Sequence, residues 1–278
     1  MVHLDKYYTL SELSLKLIDT TFTKIGNNFD CVIEPSAGNG SFSDHLQNLK
    51  NVDLLFFDIE PEKKEIIRQD FLLLQDDKYN LDKFKNILCI GNPPFGRQNS
   101  LAVKFFNKCS SFKNVNYISM IFPKSFRKSS IQNRLNLNFH IIWEEDIPEN
   151  SFVSSDNKIR YDIPCIFQIW KRENYSREKE KNKKLLDEFK NVIEFTKEPQ
   201  MNNKLYLSIR RVGFYSGKVE YYNNQSKQSH YFLKCRDENM SSKIMKYLNN
   251  IEWKHNDTVG PRSISKNKFI EIINSIEF

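Results

Sequence analysis

Long apolar runs, paired cysteines, internal repeats and low-complexity tracts are all missing from this chain of 278 residues. No apolar stretch approaches the roughly 18 residues that a membrane helix needs, so no membrane partner is expected. The opening residues, MVHLDKYYTL, show no basic leader followed by an apolar segment, which makes the cytoplasm, or the nucleus in a eukaryote, the expected location. The five cysteines (Cys31, Cys89, Cys109, Cys165 and Cys235) form no C-x-x-C pair, and three lie in apolar strand-like runs. They read as buried, reduced thiols, without the spacing of a disulfide framework or a zinc site. Glycine is scarce, at eight residues, so the glycines of EPSAGNGSF (34–42) and GNPPFG (91–96) stand out.

With 39% hydrophobic residues, the chain can bury the core of one large domain, or of a medium domain plus a small one. Its charge is uneven. Residues 1–170 hold 20 Lys and Arg against 21 Asp and Glu, and residues 171–278 hold 22 against 14, so the two parts carry −1 and +8. A polyanionic partner for the C-terminal part would explain that imbalance.

The first 170 residues alternate apolar runs with amphipathic stretches. Strands are expected near 31–34, 53–58, 86–90, 115–122, 139–144 and 163–171, with helices at 41–49, 61–68, 100–109 and 125–135. This rhythm predicts an α/β fold, a doubly wound and mostly parallel sheet, with ligands where loops leave the carboxyl ends of the strands. Near Asn174 the text turns charge-rich (NYSREKEKNKKLLDEFK), a helical linker or boundary, so the expected domains are 1–172 and 173–278. Beyond it come two or three aromatic/polar strands, a helical stretch, a basic loop and a terminal helix, a smaller β-rich basic domain.

The first of these strands ends in EPSAGNGSF. Gly38 and Gly40 let backbone approach a ligand, and the helix after them would offer its N–H groups to an anion. One helix and one strand later, Asp58 sits where an acidic residue can accept both hydroxyls of a ribose. Together these describe a site for a nucleoside-containing cofactor. A third glycine is missing and Pro35 follows Glu34, which sets the loop apart from the hydride-transfer fingerprint.

Over roughly residues 6–170 the sequence resembles the S-adenosylmethionine-dependent, adenine-specific amino-methyltransferases. Their [DE]-P-x-x-G-x-G loop is matched by Glu34, Pro35, Gly38 and Gly40, with Ser36 inside it and Phe42 after it. Asp58 matches the second acidic position, with Ile59 placed beside the cofactor's adenine. Asp70-Phe71 match the next motif, aspartate on the adenine amino group and Phe71 on the ring. Asn92, Pro93, Pro94 and Phe95 match [DNS]-P-P-[YFW]. Tyr7, Tyr8 and Thr9 match a stretch lying against the methionine portion, with Leu10 where proline is usual. The resemblance implies a seven-stranded Rossmann-like methyltransferase sheet and S-adenosylmethionine as cofactor. Motif order resembles the γ arrangement of DNA adenine methyltransferases, whose recognition domain is C-terminal and which often serve restriction-modification.

The chemistry suits GNPPFG. The lone pair of an adenine amino group is delocalised into the ring, so its nitrogen is a poor nucleophile. Acceptors at the Asn92 side-chain oxygen and the Pro93 carbonyl would favour a pyramidal nitrogen with the pair free, and the prolines hold those acceptors with little entropy to lose. Phe95 would stack on a base flipped out of the duplex. Phe152, with Tyr161 as competitor, would cover its far face; Pro123 would line the pocket, and Lys124 with Arg127 would reach phosphate. In the C-terminal part Arg210, Arg211, Lys218, His230, Lys234, Arg262 and Lys266, interleaved with Tyr206, Phe214, Tyr215, Tyr221 and Tyr231, suit phosphate contact with base or sugar packing. The expected function is methyl transfer to N6 of adenine in DNA. RNA adenine methylation is the nearest rival, and a non-catalytic nucleic-acid-binding module is the alternative from another class. The residues leave the recognition sequence and oligomeric state open.

Overall fold

The computed structural model describes residues 7–154, 159–179, 181, 183–251, 253 and 263–276. Arg262 and most of the basic loop before the terminal helix lie outside them. The chain divides into two compact units, 1–179 and 180–278.

In the first unit the elements are β1 (Tyr8–Thr9), α1 (Ser11–Ile25), β2 (Cys31–Glu34), α2 (Ser43–Leu46), β3 (Asp53–Asp58), β4 (Ile67–Arg68), β5 (Ile87–Gly91), α3 (Ser100–Ser111), β6 (Val115–Pro123), α4 (Ser129–Gln132), β7 (Phe139–Asp146), β8 (Phe152–Val153), β9 (Arg160–Tyr161) and β10 (Cys165–Arg172). Seven strands form one sheet in the order β4-β3-β2-β5-β6-β10-β7. Pairing is parallel from β4 through β6, whereas β10 runs antiparallel to both its neighbours. Side chains alternate across a strand, and here both faces are apolar. Cys31, Ile33, Ile87 and Cys89 belong to one buried cluster with α3, while Val32, Leu88 and Ile90 belong to another with α1. This is why the strands read as near-continuous apolar runs. A three-stranded sheet, β1-β8-β9, stands apart from the large one.

Several local expectations fail. Residues 61–68 form turns ending in β4, not a helix; Glu62 and Lys63 instead reach Tyr8 and Asp44. The helix expected at 41–49 is only the four-residue α2, and that at 125–135 is a 3-10 turn (Lys124–Arg127) followed by α4. Between 174 and 190 only α5 (Asp187–Lys190) is helical among the described residues. Residues 173–179 stay with the first unit, where Arg177 donates from Nε to the Phe139 carbonyl (3.1 Å) and from Nη2 to that of Gln132.

The second unit adds β11 (Ile193–Phe195), β12 (Tyr206–Arg210), β13 (Val219–Tyr221), β14 (His230–Cys235), α6 (Glu238–Asn249) and α7 (Lys266–Ile273). Its antiparallel sheet has the order β11-β14-β12-β13 and buries Leu207, Ile209 and Leu233 against Ile244, Leu248, Phe269 and Ile273 from the helices. Asp237 and Ser265 cap α6 and α7 by accepting from the amides of Met240 and Lys268. All five cysteines are buried and none is in a disulfide. No described helix is long and apolar enough to cross a membrane.

Candidate active site

Strand β2 has β3 on one side and β5 on the other, so the loops leaving β2 and β5 diverge and open a crevice at their carboxyl ends. A cavity of about 340 Å³ occupies it, within the range of small-molecule sites. Its wall includes Tyr8, Thr9, Glu34, Pro35, Ser36, Gly38, Asp58, Ile59, Asp70, Phe71, Asn92, Pro93, Pro94, Phe95 and Phe152.

The wall is built by cross-links between segments distant in sequence. Asp58, at the tip of β3, accepts from the Gly38 amide (2.7 Å) and the Glu60 amide (2.8 Å). A carboxylate has about four acceptor directions, so this one fastens the loop after β2 and retains capacity for a ligand. Gly38 has φ +52°, and a Cβ there would lie 2.8 Å from Cε1 of Tyr8. Any larger residue would push the Tyr8 ring off the loop. The Tyr8 hydroxyl donates to Glu62, and burial followed by that carboxylate pushes its pKa up. Asp70 caps the 3-10 turn Phe71–Leu73 by accepting from the Leu72 amide (2.9 Å), and Phe71 stacks on Phe105 of α3.

Glu34 ends β2 only 2% exposed, and its Oε2 has no hydrogen-bond partner. Burial holds its carboxyl well above the usual range, and the Asp58 charge adds to the shift. A donor or cation brought into the cavity would reverse that penalty.

The Asn92–Phe95 loop is fixed at both ends and in the middle. Gly91 pairs with Met120 in the sheet, and the Phe95 carbonyl accepts from Leu101 and Ala102 amides at the start of α3. The Asn92 carbonyl accepts from Ser36 Oγ (3.2 Å), and its side-chain Nδ2 donates to Thr9 Oγ1 (3.1 Å). The Thr9 hydroxyl, which can accept or donate, orders the Asn92 side chain. Oδ1 is buried with no partner, in a residue that lines the cavity.

Strand β1 brings Thr9 to Asn92 and also pairs Thr9 with Phe152 of β8. Phe152 lines the cavity; Tyr161, opposite it on β9, does not, and Tyr7 packs on its ring edge-on (4.7 Å). Tyr7, Gln69 and Phe105 also line the cavity. Tyr7 belongs to the matched Tyr7–Thr9 stretch and Gln69 adjoins Asp70, a signal the sequence carried; Phe105 sits in a helix and is brought there only by packing.

Other expected site residues lie elsewhere. Gly40 is outside the wall, its amide donating to the Ala37 carbonyl (2.8 Å) within the turn. With α2 only four residues long, no helix N-terminus offers an anion site there. Pro123 is paired with Cys165 in the sheet and Lys124 faces Asp146 (3.6 Å); neither lines the cavity. Arg127 is held by Glu144 (2.7 Å) and Asp146 (2.9 Å), so its guanidinium is already neutralised. Arg210 and Arg211 belong to the second unit, where Arg210 Nε donates to the Val212 carbonyl (3.2 Å) and Arg211 Nη2 to that of Gln228 (2.6 Å).

The strand order, with one antiparallel strand next to the edge, defines a Rossmann-like methyltransferase fold followed by a β-rich region. The sequence matches no protein-family model and no curated protein. Among solved structures the chain is similar to a provisionally assigned RNA methyltransferase from Pyrococcus horikoshii, with 14% identity over 61% of this chain and 87% of that one, TM-score 0.45. It is also similar to a provisionally assigned class I S-adenosylmethionine-dependent methyltransferase from Listeria monocytogenes (14% identity, 62% and 61% covered, TM-score 0.40). A third likeness is the Burkholderia thailandensis 1,6-didemethyltoxoflavin-N1-methyltransferase, solved with S-adenosylhomocysteine (7% identity, 58% and 78% covered, TM-score 0.39). At TM-scores below 0.5, functional weight rests on the site itself.

Proposed function

We propose that the protein transfers a methyl group from S-adenosylmethionine to the N6 amino group of adenine in DNA, with the second unit, residues 180–278, serving target recognition. The observation that carries this reading is the Asn92 Oδ1 atom, buried and unpartnered in a residue that lines the cavity, while Nδ2 is held by Thr9. An orphaned acceptor of this kind costs roughly 1–3 kcal/mol unless a ligand brings a donor to it. An amino group does so.

Glu34, Asp58 and Asp70 would hold the cofactor. The cavity supplies unmet demand for it, since Glu34 Oε2 lacks a donor and Asp58 retains acceptor capacity. When bound, S-adenosylmethionine supplies an electrophilic methyl group on a sulfonium. Asn92 Oδ1 and the Pro93 carbonyl then accept the two amino hydrogens, drawing the nitrogen toward a pyramidal form with its lone pair free. This is fixed electrostatic complementarity, with no reorganisation of the loop. Phe95 and Phe152 exclude water and hold the base so that the nitrogen is in line with the methyl group, and positioning supplies much of the rate.

The test uses the full chain and DNA and RNA free of methylated adenine, with labelled methyl incorporation and cofactor calorimetry as readouts. Asn92→Ala should abolish incorporation and leave cofactor affinity nearly intact. Substantial residual turnover would sink the mechanism, and incorporation confined to RNA would move the reading to an RNA substrate.

A further inference from the structure

The loop joining β12 to β13 presents the most exposed aromatic pair among the described residues of the second unit. Phe214 is 74% exposed and Tyr215 62%, and their rings meet edge to face at 5.1 Å. Solvent exposure of two such rings costs apolar free energy, and the loop holding them is tightly built. The Gly217 amide donates to the Arg210 carbonyl (2.7 Å), the Arg210 amide to Lys218 (2.9 Å), and the Ser216 amide to Gly213 (3.0 Å). Ser216 and Gly217 are buried directly after the exposed pair, and a Cβ at Gly217 would fall 2.3 Å from the Trp253 ring. At the other end, Val212 bridges to Ser263. The two rings therefore stand on a fixed pedestal.

We infer that this tip is a wedge that inserts between base pairs of duplex DNA. Charge complementarity supports that occupant. The second unit carries 18 Lys and Arg against 12 Asp and Glu, a net +6. Arg210 and Arg211 lead into the tip, and Arg210 Nη2 lies 3.6 Å from the Cβ position of Gly213. Lys218 follows the tip and pairs with exposed Glu220 (2.6 Å), a weak contact that phosphate can replace. Apolar side chains that enter B-form DNA unstack a base step and are flanked by cations on the backbone. A two-stranded ribbon fits the grooves of B-DNA, whereas the major groove of duplex RNA is too narrow for side chains to read. Arg210 and Arg211, tied to their own loop carbonyls, serve as the base of the wedge.

The inference rests on the reading of the partner as DNA. The test measures binding of the full chain to a random-sequence DNA duplex, the matching RNA duplex, and vesicles containing anionic lipid. It also measures untwisting of relaxed plasmid under a topoisomerase. Phe214→Ala/Tyr215→Ala should weaken DNA binding at least about tenfold, the scale of losing one stacked base, and should abolish untwisting. The salt slope should stay unchanged, because the cations remain. Phe214→Trp/Tyr215→Trp should restore untwisting. Exposed substitutions leave the thermal midpoint within about 2 °C, which excludes unfolding as the cause. Untwisting by the alanine variant at the wild-type level overturns the wedge, as does tighter wild-type binding to the RNA duplex or to vesicles. Asn92→Ala should untwist like wild type. A protein that untwists DNA but methylates no nucleic acid would overturn the methyl-transfer reading and leave the wedge standing. A protein that methylates DNA without untwisting it would do the reverse.

Discussion

Two tight turns carry the proposed work, and they are built in opposite ways. Residues 91–96 turn polar atoms inward: Asn92 Oδ1 is buried without a partner, while the Asn92 carbonyl, Asn92 Nδ2 and the Phe95 carbonyl are each hydrogen-bonded. Residues 213–217 turn apolar rings outward while their backbone is pinned. Each leaves one kind of group in the environment it least favours, on a scaffold that prevents relaxation. The difference suggests division of labour, because a buried orphan acceptor selects one donor atom, whereas an exposed ring accepts any base face.

The largest effect that would break this comparison is at Asn92. Asn92→Ala should lower methyl incorporation by about 10²–10³-fold or more, the scale of losing one preorganised partner of the reacting group. Asn92→Asp keeps an acceptor at this position and can accept from the Thr9 hydroxyl, so it should retain more incorporation than Asn92→Ala.

Glu34 comes next. Its carboxyl is raised in the folded protein, so the fold binds this proton more tightly than the unfolded chain does. Its contribution to stability is fully present below the unfolded value near 4.5 and is lost as pH rises toward the folded value. Glu34→Gln should therefore raise the melting temperature at neutral pH, with the gain vanishing as pH falls toward 4.5. Calorimetry should show cofactor affinity falling at least about tenfold in the same variant. Equal melting curves at pH 7 would show that the buried carboxyl is relieved in some other way.

Gly38→Ala should cost roughly 1–2 kcal/mol in stability from its positive φ and the Tyr8 contact, read from urea unfolding, and it should weaken cofactor binding. Smallest is Lys124→Ala. Its partner Asp146 is half exposed, so the ion pair is worth less than about 1 kcal/mol, and methyl transfer should be nearly unchanged. A large loss there would return Lys124 to the substrate path.

Six of the sheet's seven strands were legible because its central strands carry apolar side chains to both faces, so Cys31–Glu34, Asp53–Asp58 and Ile87–Gly91 read as apolar runs bounded by turns. The stretch at 61–68 was not. Its charged residues fit a helix locally, but Glu62 and Lys63 satisfy Tyr8 and Asp44 instead, and long-range partners leave no periodic trace. The two-residue strands β1, β8 and β9 escaped for the same reason, although their pairing is what carries Thr9 to Asn92 and Phe152.

By itself the sequence determined where the six longer strands of the first unit lie along the chain, the rigid Pro-Pro turn at the end of one of them, and the concentration of positive charge toward the C-terminus, since these follow from residue type and spacing. Only the tertiary structure decided that Asn92 Nδ2 meets Thr9 and frees Oδ1, that Lys124 and Arg127 spend their charge on Asp146 and Glu144, and that Phe214 and Tyr215 face solvent. Those outcomes depend on which distant groups compete for each donor, acceptor and apolar surface, and that competition is settled in three dimensions.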